Sequence, residues 1–303
     1  MVNAKDMIRR LREERKAKNS LSKGAQVIDA GTAKHNVSQA LLASATAPSD
    51  QQTQQKLQLS IMSASGKIWQ EESLFERCVV LKEGTTQEKN LRLLEDPMGK
   101  LAGGNGATLW DCSVALTHFL TEHYKDECLS HKTVLELGAG LGLVGMAMAA
   151  TTGASVVTTE RELALPLLRK NVAKNEATTS GRVESADLSW GKETTEALLA
   201  QRERMGLQSF DIVVGSDLVF PSNVEAYSAL ADTIFALLHH HQQRGAVEMW
   251  QSHEPRRPEV EAAFWTMLEE RGILVQQLSA ADGLPASHPS DILILRLTLE
   301  LHN

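Results

Sequence analysis

The chain has 303 residues, 42% hydrophobic and 23% charged, with a formal net charge of −7, the composition of a soluble globular protein with a sizeable core rather than of a whole-protein nucleic-acid surface. Its three cysteines, Cys78, Cys112 and Cys128, form no C-x-x-C, which argues against a disulfide framework or a cysteine zinc site and fits a reducing compartment. No run of about 18 apolar residues marks a membrane span, and no apolar h-region marks a signal peptide.

Residues 1–23 hold eight Lys or Arg and three acids. "MIRRLREERKAK" reads as a short basic helix in a solvated tail, and Asp6, Glu13 and Glu14 count against a transit peptide. Residues 30–65 are rich in Ala, Ser, Thr and Gln. They offer little to bury, which predicts a flexible linker with one short helix near Val37–Ala43. Order is expected from about residue 67. "FERCVVL" (75–81) and "KNLRLLED" (89–96) read as the strands of a hairpin. "PMGKLAGGNG" is a glycine-rich loop. "TLWDCSVALTHFLTEHY" (108–124) carries Leu109, Val114, Leu116 and Leu120 at helical spacing. The expected division is a basic and polar extension over 1–66, an accessory hairpin and lid helix over 67–131, and a core over 132–303.

From residue 132 strand and helix alternate. "TVLELGAG", "SVVTTE", "RVESADLSW", "FDIVVGSDLVF" and "GAVEMWQSH" read as strands. "LVGMAMAATTG", "LALPLLRKNVAKN", "NVEAYSALADTIFALLHHH" and "RPEVEAAFWTMLEERG" read as helices. Such alternation predicts an α/β fold with a parallel sheet covered on both faces. The last two strand-like runs, "ILVQQL" and "DILILRL", are joined by the loop "SAADGLPASHPS" without a helix. They are therefore expected to be antiparallel.

The stretch "VLELGAGLGLVG" (134–145) has two parses. Gly140, Gly142 and Gly145 spell G-x-G-x-x-G, the dinucleotide fingerprint. Glu136, Gly138, Gly140 and Gly142 spell E-x-G-x-G-x-G, which resembles the first motif of S-adenosylmethionine (SAM) methyltransferases. In either parse, glycines between a buried strand and a helix let the main chain turn tightly beside a ligand. A buried Glu136 needs a partner. A cationic cofactor suits it better than a pyrophosphate does, and a helix amide or a salt bridge is the competing partner. Gly145 reads as close packing of the helix on the strand.

Glu160 ends the second strand, where an acid can accept from a ribose diol. Asp187 and Trp190 lie where an adenine would sit. Ser216 and Asp217 emerge at the carboxyl edge of the sheet, where open α/β sheets place ligands. Trp110 either folds over that edge or packs in the core. Three consecutive histidines, His239–His241, do not share a helix face, so no metal site is expected. His253 falls near the cleft. Arg256 and Arg257 read as a solvated helix start or a contact for an acidic protein surface.

Several segments together resemble methyltransferase family 16, the protein-lysine group of the seven-β-strand SAM methyltransferases, over roughly 68–300. They are "LWDCSVALTHFL", "VLELGAGLGLVG", "TERELALPLLRKNVAKN", "ADLSWG", "FDIVVGSDLVF" and "FWTMLEERG". The resemblance implies a seven-stranded, mostly parallel Rossmann-like sheet with one antiparallel strand near the C-terminus. It implies SAM as cofactor, bound by Trp110, Gly138, Ala139, Gly140, Glu160, Trp190 and Ser216. Asp217 to Phe220 occupy the family's D-x-x-Y position near the methyl-accepting amine. Phe220 stands where the family has Tyr, so the hydroxyl is missing and an apolar wall for a lysine stem remains. Asp217 is expected to orient the amine. The expected partner is a protein substrate, with no membrane and no nucleic acid, for a monomeric cytoplasmic enzyme, the nucleus being the alternative. Methyl transfer to arginine, histidine or a small molecule, a nicotinamide enzyme and a non-catalytic relative are the competing readings.

Overall fold

The computed structural model describes residues 12–13, 16, 61–62, 68–69, 74–81, 88–96, 104–207, 209–242 and 247–300. The chain forms two units, Asp6–Glu72 and a second that includes Ser73–Asn303. In the first, Ile61–Met62 pairs antiparallel with Ile68–Trp69. Most of the expected N-terminal extension, including the helix near Val37–Ala43, lies outside the described residues. The hairpin, the large sheet and the cleft all belong to the second unit.

That unit alternates α1 (Asp111–His123), β1 (Thr133–Leu137), α2 (Leu143–Thr152), β2 (Ser155–Glu160), α3 (Leu165–Lys174), β3 (Val183–Asp187) and α4 (Lys192–Arg204). It continues through β4 (Ile212–Ser216), α5 (Tyr227–Gln242), β5 (Glu248–His253), α6 (Pro258–Glu269), β6 (Ile273–Gln277) and β7 (Leu293–Leu299). The strand order is β6-β7-β5-β4-β1-β2-β3. β7 runs antiparallel to both β5 and β6, and the other neighbouring pairs are parallel. This is the expected seven-strand sheet, with the antiparallel strand inserted between β5 and β6 rather than added at the edge.

Alternation along β1 assigns its two faces. Leu135 and Leu137 join a core with Leu230, Ile234 and Leu237 of α5 and Phe264 and Leu268 of α6. Glu136 points to the other face, where α2 lies. Helices therefore cover both faces, as a sheet of apolar parallel strands requires. Two helices have no counterpart in the sequence reading, the single turn Glu176–Thr179 and α4; α4, "KETTEALLAQRER", buries only Thr195 and Leu199. Its apolar stripe is too thin to register as periodicity.

The strands Phe75–Leu81 and Lys89–Glu95 form the expected hairpin, paired from Phe75↔Glu95 to Leu81↔Lys89. Two asparagines one turn apart, Asn171 of α3 and Asn175 at its C-cap, fasten its second strand. Asn171 Oδ1 accepts from Leu94 N at 2.7 Å, and its Nδ2 donates to Leu94 O at 3.2 Å. Asn175 repeats the exchange with Arg92, at 2.8 and 2.9 Å. Each side-chain amide thus pairs with a strand residue as another strand would. Asn171 Nδ2 also donates to Leu141 O at 3.2 Å, which ties the hairpin to the glycine turn.

Asn171→Ala leaves buried backbone groups unpaired, at a cost of about 1–3 kcal/mol each. It should lower unfolding stability by about 3 kcal/mol in urea titration, with amide exchange fastest at Leu94. Unchanged exchange at Leu94 would contradict this anchoring.

Candidate active site

The chain enters the sheet at β1, winds outward through β2 and β3, then returns to β4 on the other side of β1. The crevice at the carboxyl ends of β1 and β4 is the switch point at which such sheets bind ligands. A cleft of about 540 Å³ lies there, within the range of small-molecule and cofactor sites. Trp110, Gly138, Ala139, Gly140, Glu160, Trp190, Ser216, Asp217 and Phe220 all line it.

Gly138 and Gly140 both have φ of 55°, a left-handed conformation that glycine adopts without strain. A Cβ on Gly138 would come within 2.9 Å of Leu218 and 3.3 Å of Trp190, and one on Gly140 within 3.1 Å of Gly106 O. The turn is therefore seated between the Trp190 wall and the segment before α1. Glu160 Oε2 accepts from Gly140 N at 3.2 Å and Oε1 from Arg161 N at 3.0 Å, which fixes the carboxylate at the end of β2.

At the end of β4, Asp217 also has a φ of 55°, unusual for a residue with a side chain. Its N–H donates to Ser252 O at 2.9 Å. Its carboxylate pairs with the Arg256 guanidinium through two bonds, Nη1 to Oδ1 at 2.8 Å and Nη2 to Oδ2 at 2.6 Å. The Arg256 Cζ stands 4.6 Å from the Phe220 ring centre and 5.7 Å from that of Trp110. The two rings meet edge to face at 6.2 Å. Trp110 is thus on the cleft wall and packed against Phe220.

Two expected site residues are not on that wall. Glu136, 1% exposed, accepts from Gly145 N at 3.1 Å through Oε2 and caps the start of α2 from below. The helix amide is its partner. A Cβ on Gly145 would meet Glu136 Oε2 at 2.5 Å, so this glycine does serve close packing. Asp187 ends β3 with its side chain exposed, and Leu188, Ser189 and Trp190 line the cleft instead.

Burial pushes the Glu136 carboxyl up to about 8 from 4.5, helped by the nearby charge of Glu160 and opposed by the Gly145 and Val144 amides. Between those two values the unfolded chain ionises while the folded chain keeps the proton, so stability falls as pH rises. Above about 8 both states are ionised and the decline ends. Glu136→Gln should therefore gain in melting temperature relative to the parent from pH 5 to 8, and SAM affinity should not change. Parallel melting curves across that range would contradict the burial assignment.

Comparison with known proteins decides the family. The family model described as "Lysine methyltransferase" matches residues 85–271, more than half of the chain. The chain belongs to the lysine methyltransferase family. It is 38% identical over 134 residues to protein N-lysine methyltransferase METTL21A of Danio rerio, covering 43% of this chain and 55% of that one. The corresponding protein of Xenopus tropicalis is 36% identical over 118 residues, 39% of this chain and 49% of that one. Histone-arginine methyltransferase METTL23 of Mus musculus is 29% identical over 165 residues, 54% of this chain and 56% of that one. The chain spans about half the length of the curated relatives it matches.

Glu160 offers carboxylate oxygens beside the glycine turn, Trp190 an aromatic wall, and Ser216 a hydroxyl between the two ends. The residue that sequence reasoning missed is Arg256. Its sequence context reads as a solvated helix start or a contact for an acidic protein surface, whereas its partner Asp217 is 39 positions away in sequence. His253 is also off the wall, buried, with Nε2 3.2 Å from Glu261 Oε2. Of the histidine run, His239 stacks on Phe235 and His240 lies 3.6 Å from Glu203. Among the described residues no group of His, Cys, Asp or Glu is arranged to hold a metal ion, and no helix is long and apolar enough to cross a membrane.

Proposed function

We propose that this protein transfers the methyl group of SAM to the ε-amine of a lysine in another protein. The observation that carries the reading is the cleft at the switch point, with Glu160 at one end and the Asp217–Phe220 wall at the other, in a chain of this family. When bound, SAM supplies an electrophilic methyl group on a sulfonium. Glu160 accepts from the ribose hydroxyls and Trp190 lines the adenine. The turn at Gly138–Gly140 leaves room for the amino-acid end. Phe220 walls the aliphatic stem of the acceptor, and Asp217 faces its nitrogen. The protein's share of the catalysis is alignment and exclusion of water. We also place the enzyme in the cytoplasm, supported by its free thiols, Cys78, Cys112 and Cys128; sedimentation of the tagged protein with nuclei would move it.

Calorimetry should give heat with SAM and none with NAD. Incubation of the protein with labelled SAM and a cell extract, followed by mass spectrometry, should then find label on lysine. Label confined to small molecules, or to arginine, would refute the lysine reading, and no heat with SAM would refute methyl transfer altogether.

A further inference from the structure

Behind the acceptor end of the cleft stands a cation, Arg256, which pairs with a lining residue without lining the cleft itself. Glu160 and Arg161 flank the glycine turn, so Asp217 is the charged lining residue at the opposite end. Both of its oxygens are taken by Arg256. Both Nη atoms of the guanidinium have a further acceptor. Nη1 donates to Glu254 O and Nη2 to Glu254 Oε2, each at 3.2 Å. The backbone N–H groups of Arg256 and Arg257 both donate to Glu261 Oε1 at 3.1 Å, and Glu261 Oε2 faces His253.

The other groups near this pair come from three elements. Burial pushes the Cys112 thiol of α1 well up, so it adds no charge. Burial lowers the His253 imidazole of β5, which favours its neutral form. Glu254 follows β5 and Glu261 lies on α6; neither lines the cleft. The Asp217 side chain is 6% exposed and that of Arg256 21%, so the pair is shielded from solvent screening.

A lysine side chain has a pKa of about 10.4, so at pH 7 only about one in 2,500 is the neutral amine that can attack a sulfonium. A free carboxylate at the acceptor end would fill the site with the unreactive ammonium. A carboxylate already paired in two places gives an ammonium no uncompensated anion, and desolvating that cation becomes costly. A neutral amine can still donate a hydrogen bond to a remaining lone pair of Asp217.

We propose that Arg256 is a charge filter: by holding both oxygens of Asp217 it makes the acceptor end discriminate against ammonium and admit the neutral amine. Arg256 acts through Asp217 and is a positioning residue. The use of the filter rests on the methyl-transfer reading, but its existence can be tested without any transfer.

Two small probes suffice, followed by saturation-transfer NMR on the full chain at pH 7.5. n-Butylammonium is charged at this pH, and 2,2,2-trifluoroethylamine is neutral. The parent protein should prefer the neutral probe. Arg256→Gln should bind n-butylammonium about tenfold more tightly than the parent does, with the neutral probe little changed. Arg256→Lys, which keeps the charge, should stay close to the parent. The gain should vanish in the double variant Asp217→Asn with Arg256→Gln, because the freed carboxylate is its cause.

A parent that prefers n-butylammonium overturns the filter, even if the Gln variant fails to fold. So does a gain that survives removal of the Asp217 charge. SAM calorimetry on the same samples reports on methyl transfer separately.

Discussion

Glu160→Gln should weaken SAM binding by about 100-fold with the fold intact. Both carboxylate oxygens already accept a backbone amide, Gly140 N and Arg161 N, so the side chain cannot turn away from the cleft. Each oxygen keeps a lone pair for a ribose hydroxyl. Gln retains one acceptor, and its NH₂ must face one of those amides donor to donor. Two charge-assisted bonds worth about 1.5–3 kcal/mol each become at best one neutral bond, a loss of about 3 kcal/mol. Titration calorimetry reads this directly. An affinity close to that of the parent would remove Glu160 from the cofactor site, and with it the assignment of the ribose to the end of β2.

A stability loss as large as that from removing the Asn171 amide is expected from a single added methyl group. In Gly145→Ala the new Cβ would stand 2.5 Å from Glu136 Oε2, 2.7 Å from Thr158 Cγ2 and 2.9 Å from Val156 Cγ1. All three contacts belong to β1 and β2 in the middle of the sheet, where neighbours cannot step aside. α2 must lift, and its hydrogen bond to Glu136 lengthens. Overpacking of this kind costs about 1–3 kcal/mol, and weakening the bond to a buried carboxyl adds about 1 kcal/mol or more. A loss of about 3 kcal/mol would lower the melting temperature by about 6–12 °C. An unchanged melting temperature would mean that α2 is not seated on the sheet as described.

The elements with strong periodicity were legible in the sequence, and so was the antiparallel ending, because "SAADGLPASHPS" leaves no room for a crossover helix. α4 was not, since two buried positions in thirteen make no stripe. The site shows the same division. Glu160, Trp190 and Ser216 follow strand ends, and a strand end in an open sheet fixes the edge on which a side chain emerges. Glu136 lies inside a strand, where burial can be inferred but the facing partner cannot; the partner proved to be the Gly145 amide. Asp187 and Trp190 sit three residues apart, and nothing local tells which of them turns inward. Arg256 was illegible because its role is a long-range pairing with Asp217.

Among the described residues β6 has β7 as its only neighbour in the sheet, and β7 fills the space beside β5. During translation β6 therefore leaves the ribosome before anything exists for it to pair with. β5 meanwhile presents an open row of amides and carbonyls, a template for strands of other nascent chains. The cofactor edge of β1, β2 and β4 is complete well before that gap is closed. A chain cut short between residues 277 and 293 would keep the residues of its cleft but leave the edge of β5 open to edge-to-edge association.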